Sequence, residues 1–312
     1  MGEMAMDRTE TTYVEAILKD ELEREDRALR SVAPVISHML DTGGGSLVSD
    51  AVVARLRGML GDIARQLLEA GAPATASDVA IDQLVEDISD DSALIDHLYA
   101  LALEGHLADR LEERFGIDPV LSPLVQELIA SDHPATAELA MSAMAAQSRF
   151  SLGQRRMELP IGELPADLFS AVLERFCEAA QDREPAPLDR AIEQLRANYD
   201  EAGTRIGLLA RLTAGMRGGA IAGLNLEHAG LALFTSSLAA LTSQSRDRAI
   251  FSCHDRQSAR LAISLRAAGL DAEDIEAQFG LLDQSQSPPD GLGSMPPEVA
   301  LDMLNASNGG LA

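Results

Sequence analysis

The chain has 312 residues and a net charge of -25, from 50 Asp plus Glu against 25 Lys plus Arg. That field repels a phosphate backbone, so nucleic acid is excluded as an expected partner. Hydrophobic residues make up 46 % and aromatics only 3 %, so Leu, Ala, Ile, Val and Met must build the core. Those side chains suit close-packed helices, and an all-α fold is expected.

Two cysteines, Cys177 and Cys253, make no disulfide framework. The opening residues have no basic region followed by an apolar run, so they do not read as a secretory signal. The most apolar window, 220–241, carries Asn225, Glu227 and His228, which a membrane span would not tolerate cheaply. No membrane association is expected, and the expected location is the cytoplasm.

Residues 1–48 read as an N-terminal helical arm followed by a glycine-rich loop. Tyr13, Ile17 and Leu18 share one helical face, and Leu29, Val32, Ile36, Met39 and Leu40 continue the apolar stripe, with Pro34 as a kink or a new start. The block KDELEREDR at 19–27 is nearly all charge. It reads as a solvated face laced with i to i+4 ion pairs, with an acidic docking arm as the sharper alternative. Asp41-Thr-Gly-Gly-Gly-Ser46 is a loop, and Ser49 is a good cap for the next helix.

A first helical half is expected over 49–150. Val52, Val53, Leu56, Met59, Leu60, Ile63, Leu67 and Leu68 form a wide apolar face, ended by Gly71 with Pro73 beyond. A short helix over Asp78 to Ile88 turns Ile81, Leu84, Val85 and Ile88 inward. Pro119, Pro123 and Pro134 each stand where a helix should start, because a missing N–H costs nothing there.

Residues 151–165 read as a proline-broken connection within the unusual stretch Gln147 to Phe169. That stretch gathers Arg149, Arg155 and Arg156 in a strongly acidic chain, then runs through Met157, Leu159 and Ile161, with Pro160 and Pro165 favouring extended backbone over helix. These six residues form the candidate partner-binding site, since interfaces combine apolar anchors with Arg. The bland alternative is a linker packed between the two halves.

A second helical half is expected over 166–282, with helices through Leu168–Phe176, Leu188–Tyr199 and Gly203–Met216. Gly215, Gly218, Gly219 and Gly223 then allow a close approach or a tight corner. The tail, 283–312, reads as largely disordered by composition, with one short helix over Glu298–Leu304.

The histidines and cysteines form no HExxH or CxxC, so no metal or cofactor is expected. Glu104-Gly-His106 with Asp109 reads as an ordinary exposed helix surface. Cys253-His254-Asp255 reads as a helix end with a buried Cys, because adjacent residues there point apart. No catalytic residue is assigned.

The segment Leu98–Gln147 has a fainter copy at Ile221–Gly269. At an offset of 122, Leu139, Ala140, Ser142, Ala145 and Ala146 fall on Leu261, Ala262, Ser264, Ala267 and Ala268. Each copy reads as a long helix, a short helix, a polar turn and an alanine-rich helix, which suggests an internal duplication. Leu226-x-x-Ala-Gly-Leu-Ala-Leu-Phe, Ser237-Leu-Ala-Ala-Leu and Leu261-Ala-Ile-Ser-Leu-Arg-Ala-Ala-Gly-Leu resemble the C-terminal repeat of an uncharacterised helical family of alphaproteobacteria with HEAT-like helix pairs. The resemblance implies a HEAT-like helical-repeat array and no catalytic residues. Such arrays present extended surfaces to other proteins, so a scaffold or regulatory protein that binds a protein partner is expected. An enzyme, or a small-ligand sensor with a cavity between the halves, is the alternative.

Overall fold

A computed structural model describes residues 3–32, 34, 50–71, 76–180, 185–284, 287–288 and 291–308. The expected loop at 41–46, the Ser49 cap, the stripe at Ile36, Met39 and Leu40, and His38 lie outside them. All regular structure among the described residues is helical, as the composition requires. No helix there is long and apolar enough to cross a membrane.

In chain order the helices are α1 (Glu3–Arg30), α2 (Asp50–Gly71), α3 (Asp78–Ser89), α4 (Ser92–Phe115), α5 (Pro123–Ile129), α6 (Pro134–Arg156) and α7 (Ala166–Ala179). They continue with α8 (Pro185–Asn198), α9 (Arg205–Met216), α10 (Leu226–Thr242), α11 (Arg246–Ser252), α12 (Ser258–Ala267), α13 (Ala272–Leu282) and α14 (Pro297–Asn308). Pro123 and Pro134 each open a helix as expected. Pro119 does not: it stands in a bend where the Asp118 carboxylate accepts the N–H groups of Val120 and Leu121.

The chain forms two compact units. The first comprises Met1–Val32, Leu107–Ala140 and Leu212–Ala312, and the second Ala33–His106 and Met141–Arg211. Each is assembled from separated stretches, so neither coincides with 49–150 or 166–282.

In the first unit α10 is buried on nearly every side and packs on α5, α11, α12 and the 3-10 segment Arg217–Leu224. Its hydroxyls are tolerated there because Thr235, Ser236 and Thr242 donate back to carbonyls four residues earlier. Gly230, at φ 70 and ψ 162, breaks the helix after its first turn, a conformation that an L side chain resists. The Ser122 hydroxyl donates to the Ala229 carbonyl at 2.7 Å, where the break interrupts the helical ladder. Of the four crowded glycines, Gly223 is the one that permits a close approach: an ideal Cβ there would stand 2.0 Å from Ser237 Oγ.

The tail is more regular than its composition suggests. Leu292, Met295, Ala300 and Leu304 are buried, and α14 packs along α12. These few apolar residues recur at helical spacing and find a partner face, which an average over the tail hides.

In the second unit α2 packs on α3 and α8, and α3 packs on α7. All eight apolar positions read from the α2 sequence are buried. In α3, Leu84 and Ile88 are buried while Ile81 and Val85 are half-buried.

Candidate functional site

The stretch that carries the candidate residues is helical for longer than expected. α6 runs through Arg156, and the irregular connection begins only at Met157. A proline restricts itself and the residue before it, so Pro160 leaves everything up to Arg156 free to be helical. Met157 ends the helix at φ 59, with the Glu158 N–H bonded to the Gly153 carbonyl at 2.9 Å. This left-handed terminal residue usually is Gly. It is accommodated beside Gly58 of α2, where an ideal Cβ would stand 2.3 Å from Met157 Cβ and 2.9 Å from its carbonyl oxygen. Gly58→Ala should therefore destabilise the chain by about 1–3 kcal/mol by overpacking, despite the better helix propensity of Ala. Urea denaturation reads this, and an unchanged midpoint would refute the tight fit.

Leu159 and Ile161 are not surface anchors. They are 3 % and 5 % exposed and belong to the core of the second unit. Two side chains of α2 hold their backbone. Asp62 accepts the Leu159 N–H at 3.0 Å, and the Gln66 amide donates to the Leu159 carbonyl at 2.9 Å and accepts the Ile161 N–H at 3.0 Å. Pro160 has no N–H to satisfy, so both donors of this short extended segment are paired. Burial pushes the Asp62 carboxyl above its ordinary range, opposed by the Leu159 N–H and by Arg65.

From Met141 onward α6 is two-faced. Its inner face carries Ala143, Ala146, Gln147 and Gln154, all buried. Its outer face exposes Met141, Ala145, Arg149, Leu152, Arg155 and Arg156, and Met157 is exposed just beyond. Met141, Leu152 and Met157 are 48 %, 51 % and 41 % exposed, unusual for large apolar side chains. Sequence reasoning missed Met141 and Leu152; their spacing from Arg149 along the helix is the signal that could have found them.

Beneath the inner face lies a buried ion pair. Arg205, at the start of α9, reaches Glu104 of α4 with two bonds of 2.8 and 2.9 Å, and Gln147 of α6 with a third of 3.0 Å. Its guanidinium carbon lies 3.6 Å from the centre of the Phe150 ring. Glu163 accepts the Arg205 backbone N–H at 2.7 Å. Both side chains of the pair are at most 3 % exposed. Each Glu104 oxygen is bonded to the guanidinium, so the pair is suited to fixing α4, α6 and α9 together. Beside it is a cavity of about 60 Å³, with Phe150, Leu159, Pro160 and Ile206 on its walls and Arg149 at its edge.

The other motifs singled out in the sequence resolve structurally. Glu104 belongs to this pair, not to an exposed surface with His106 and Asp109. Cys253 is fully buried, with its thiol 3.3 Å from the Ala249 carbonyl, while His254 Nδ1 lies 2.8 Å from Asp255. Among the described residues, no group of three or more His, Cys, Asp or Glu could hold a metal ion. No family model matches the chain, and it matches neither a curated protein nor a solved structure.

Proposed function

We propose that the protein is a cytoplasmic helical scaffold or regulatory protein that binds an acidic protein partner through the outer face of α6. One observation carries this reading: three large apolar side chains and three arginines share an exposed face in a chain of net charge -25. Arg keeps its charge at physiological pH and grips carboxylates with paired bonds, while Met and Leu supply apolar contact. The anchors are Met141, Leu152 and Met157, and the charged contacts are Arg149, Arg155 and Arg156. A HEAT-like ancestry is part of this reading. It is supported by a matching order of helices in the two similar segments, of 24, 7 and 23 residues in one and 17, 7 and 10 in the other, with Ser122 and Ser245 capping the seven-residue helices.

The test is a charge reversal, Arg155→Glu with Arg156→Glu, compared with wild type by affinity capture from the native cytoplasm and by melting temperature. Loss of a captured acidic partner at an unchanged melting temperature is the expected result. A lowered melting temperature would assign the arginines to pairing within the chain, and unchanged capture would remove this face from consideration.

A further inference from the structure

The charged block of α1 is not a uniformly solvated face. Val14, Leu18 and Leu22 are buried against the first unit, where α1 packs on α12 and α14. One turn further on, two acidic side chains dock. The Glu25 carboxylate accepts the N–H groups of Ala259 and Arg260 at 2.9 and 2.8 Å, at the start of α12. Asp26 pairs with the Arg260 guanidinium and accepts the Ser307 hydroxyl of α14. Arg260 is fully buried and also reaches Gln244 at 3.3 Å. The rest of the block faces outward, as in the exposed Arg24–Asp20 pair at 2.8 Å.

We infer that α1 is an exchangeable arm, and that the site it fills on α12 and α14 also accepts the α1 of a second copy, joining two copies reciprocally. Three features support exchange. Among the described side chains of α1, the apolar grip rests on three aliphatic ones, and the remainder is ionic contact whose formation is offset by desolvation. The arm is separated in sequence from the rest of its unit by the whole of Ala33–His106. The occupant is specified by the site itself, since Glu25 and Asp26 meet the start of α12 and Ser307 of α14 one turn beyond the buried residues at 14, 18 and 22. Reciprocal exchange of one identical element closes a two-fold dimer.

Burial pushes the Glu25 carboxyl up to about 7, against the opposing pull of the two N–H groups and Arg260, with Glu21 adding to the rise. Asp26 and Arg260 flank it, and Arg248 and Arg30 lie in the same charged neighbourhood. The docked arm thus holds a proton that a hydrated arm releases. Docking is favoured at low pH and weakens as pH rises through about 7, so exchange should be faster at pH 8 than at pH 5.5.

The test mixes full-length ordinary and ¹⁵N-labelled chains at high concentration and follows mixed dimers by native mass spectrometry. The competitor is a synthetic peptide of residues 10–32, and the control is the same peptide with Glu25→Ala and Asp26→Ala. Mixed dimers that form faster at pH 8, and that the wild-type peptide reduces at least tenfold while the control does not, are the expected result. No mixed dimers at any concentration would overturn the inference. Dimers indifferent to the peptide would overturn it too, because they would be joined through another surface, such as the outer face of α6.

Discussion

Asp26→Ala should destabilise the first unit by about 3–5 kcal/mol, one of the two largest single-residue effects expected in this chain. Arg260 has no exposed surface, and a guanidinium does not shed its proton at any accessible pH. Removing Asp26 therefore leaves a buried charge bonded to the neutral oxygens of Gln244 and Ser307, with the half-buried Glu25 as the acid still in its field. This differs from opening the arm, which returns Asp26 to water and uncovers Arg260 together, so neither charge is left buried alone. The double change Asp26→Leu with Arg260→Met should recover most of the loss, because an apolar pair of similar size avoids the desolvation cost. Guanidinium denaturation gives the magnitudes, and amide exchange at Ala259 and Arg260 locates the effect. A loss below about 1 kcal/mol would show that Arg260 had found water or another acid.

This site shows where sequence reading stops. The α2 core was legible because burial of a helix face leaves a 3.6-residue period, and all eight positions read from it are buried. In α1 the same reasoning placed Ile17 on the inner face, yet it is 38 % exposed, and the stripe is Val14, Leu18 and Leu22. Two stripes one residue apart fit the same pattern, and the docking surface chooses between them. The charges were less legible still. Glu25 and Asp26 look like Glu21 and Glu23 in sequence, and their partners Ala259, Arg260 and Ser307, far along the chain, distinguish them.

The candidate site divides along the same line. Arg149, Arg155, Arg156 and Met157 are exposed. Leu159 and Ile161 are drawn inward by Asp62 and Gln66, more than ninety residues away in the chain, and local composition carries no trace of that. Leu152 was overlooked because Gln147–Phe169 was read as extended, and Met141 because it lies in the alanine-rich helix before that stretch. Once α6 is known to continue through Arg156, helical spacing brings them to the same face.

The second large effect is expected at Glu104 and Arg205, where the two partners should fail differently. Glu104→Ala leaves Arg205 charged and buried, with Gln147 and the Phe150 ring still beside it. Its cost, about 3–5 kcal/mol, should change little between pH 5 and 8 because the buried guanidinium cannot neutralise. Arg205→Met instead strands a carboxylate that can take up a proton. Losing the Arg205 charge makes the ionised form of the buried Glu104 costlier, which raises its folded-state pKa and favours the protonated form. Stability in that variant is retained at low pH and lost as pH rises through the raised value. Arg205→Met should therefore approach wild-type stability near pH 5 and fall below it by pH 8, while Glu104→Ala stays uniformly impaired. Denaturation midpoints of both variants across this range test the asymmetry. Parallel pH profiles would mean that water reaches the stranded group, and that the pair does not form the sealed junction of α4, α6 and α9 on which the outer face of α6 is built.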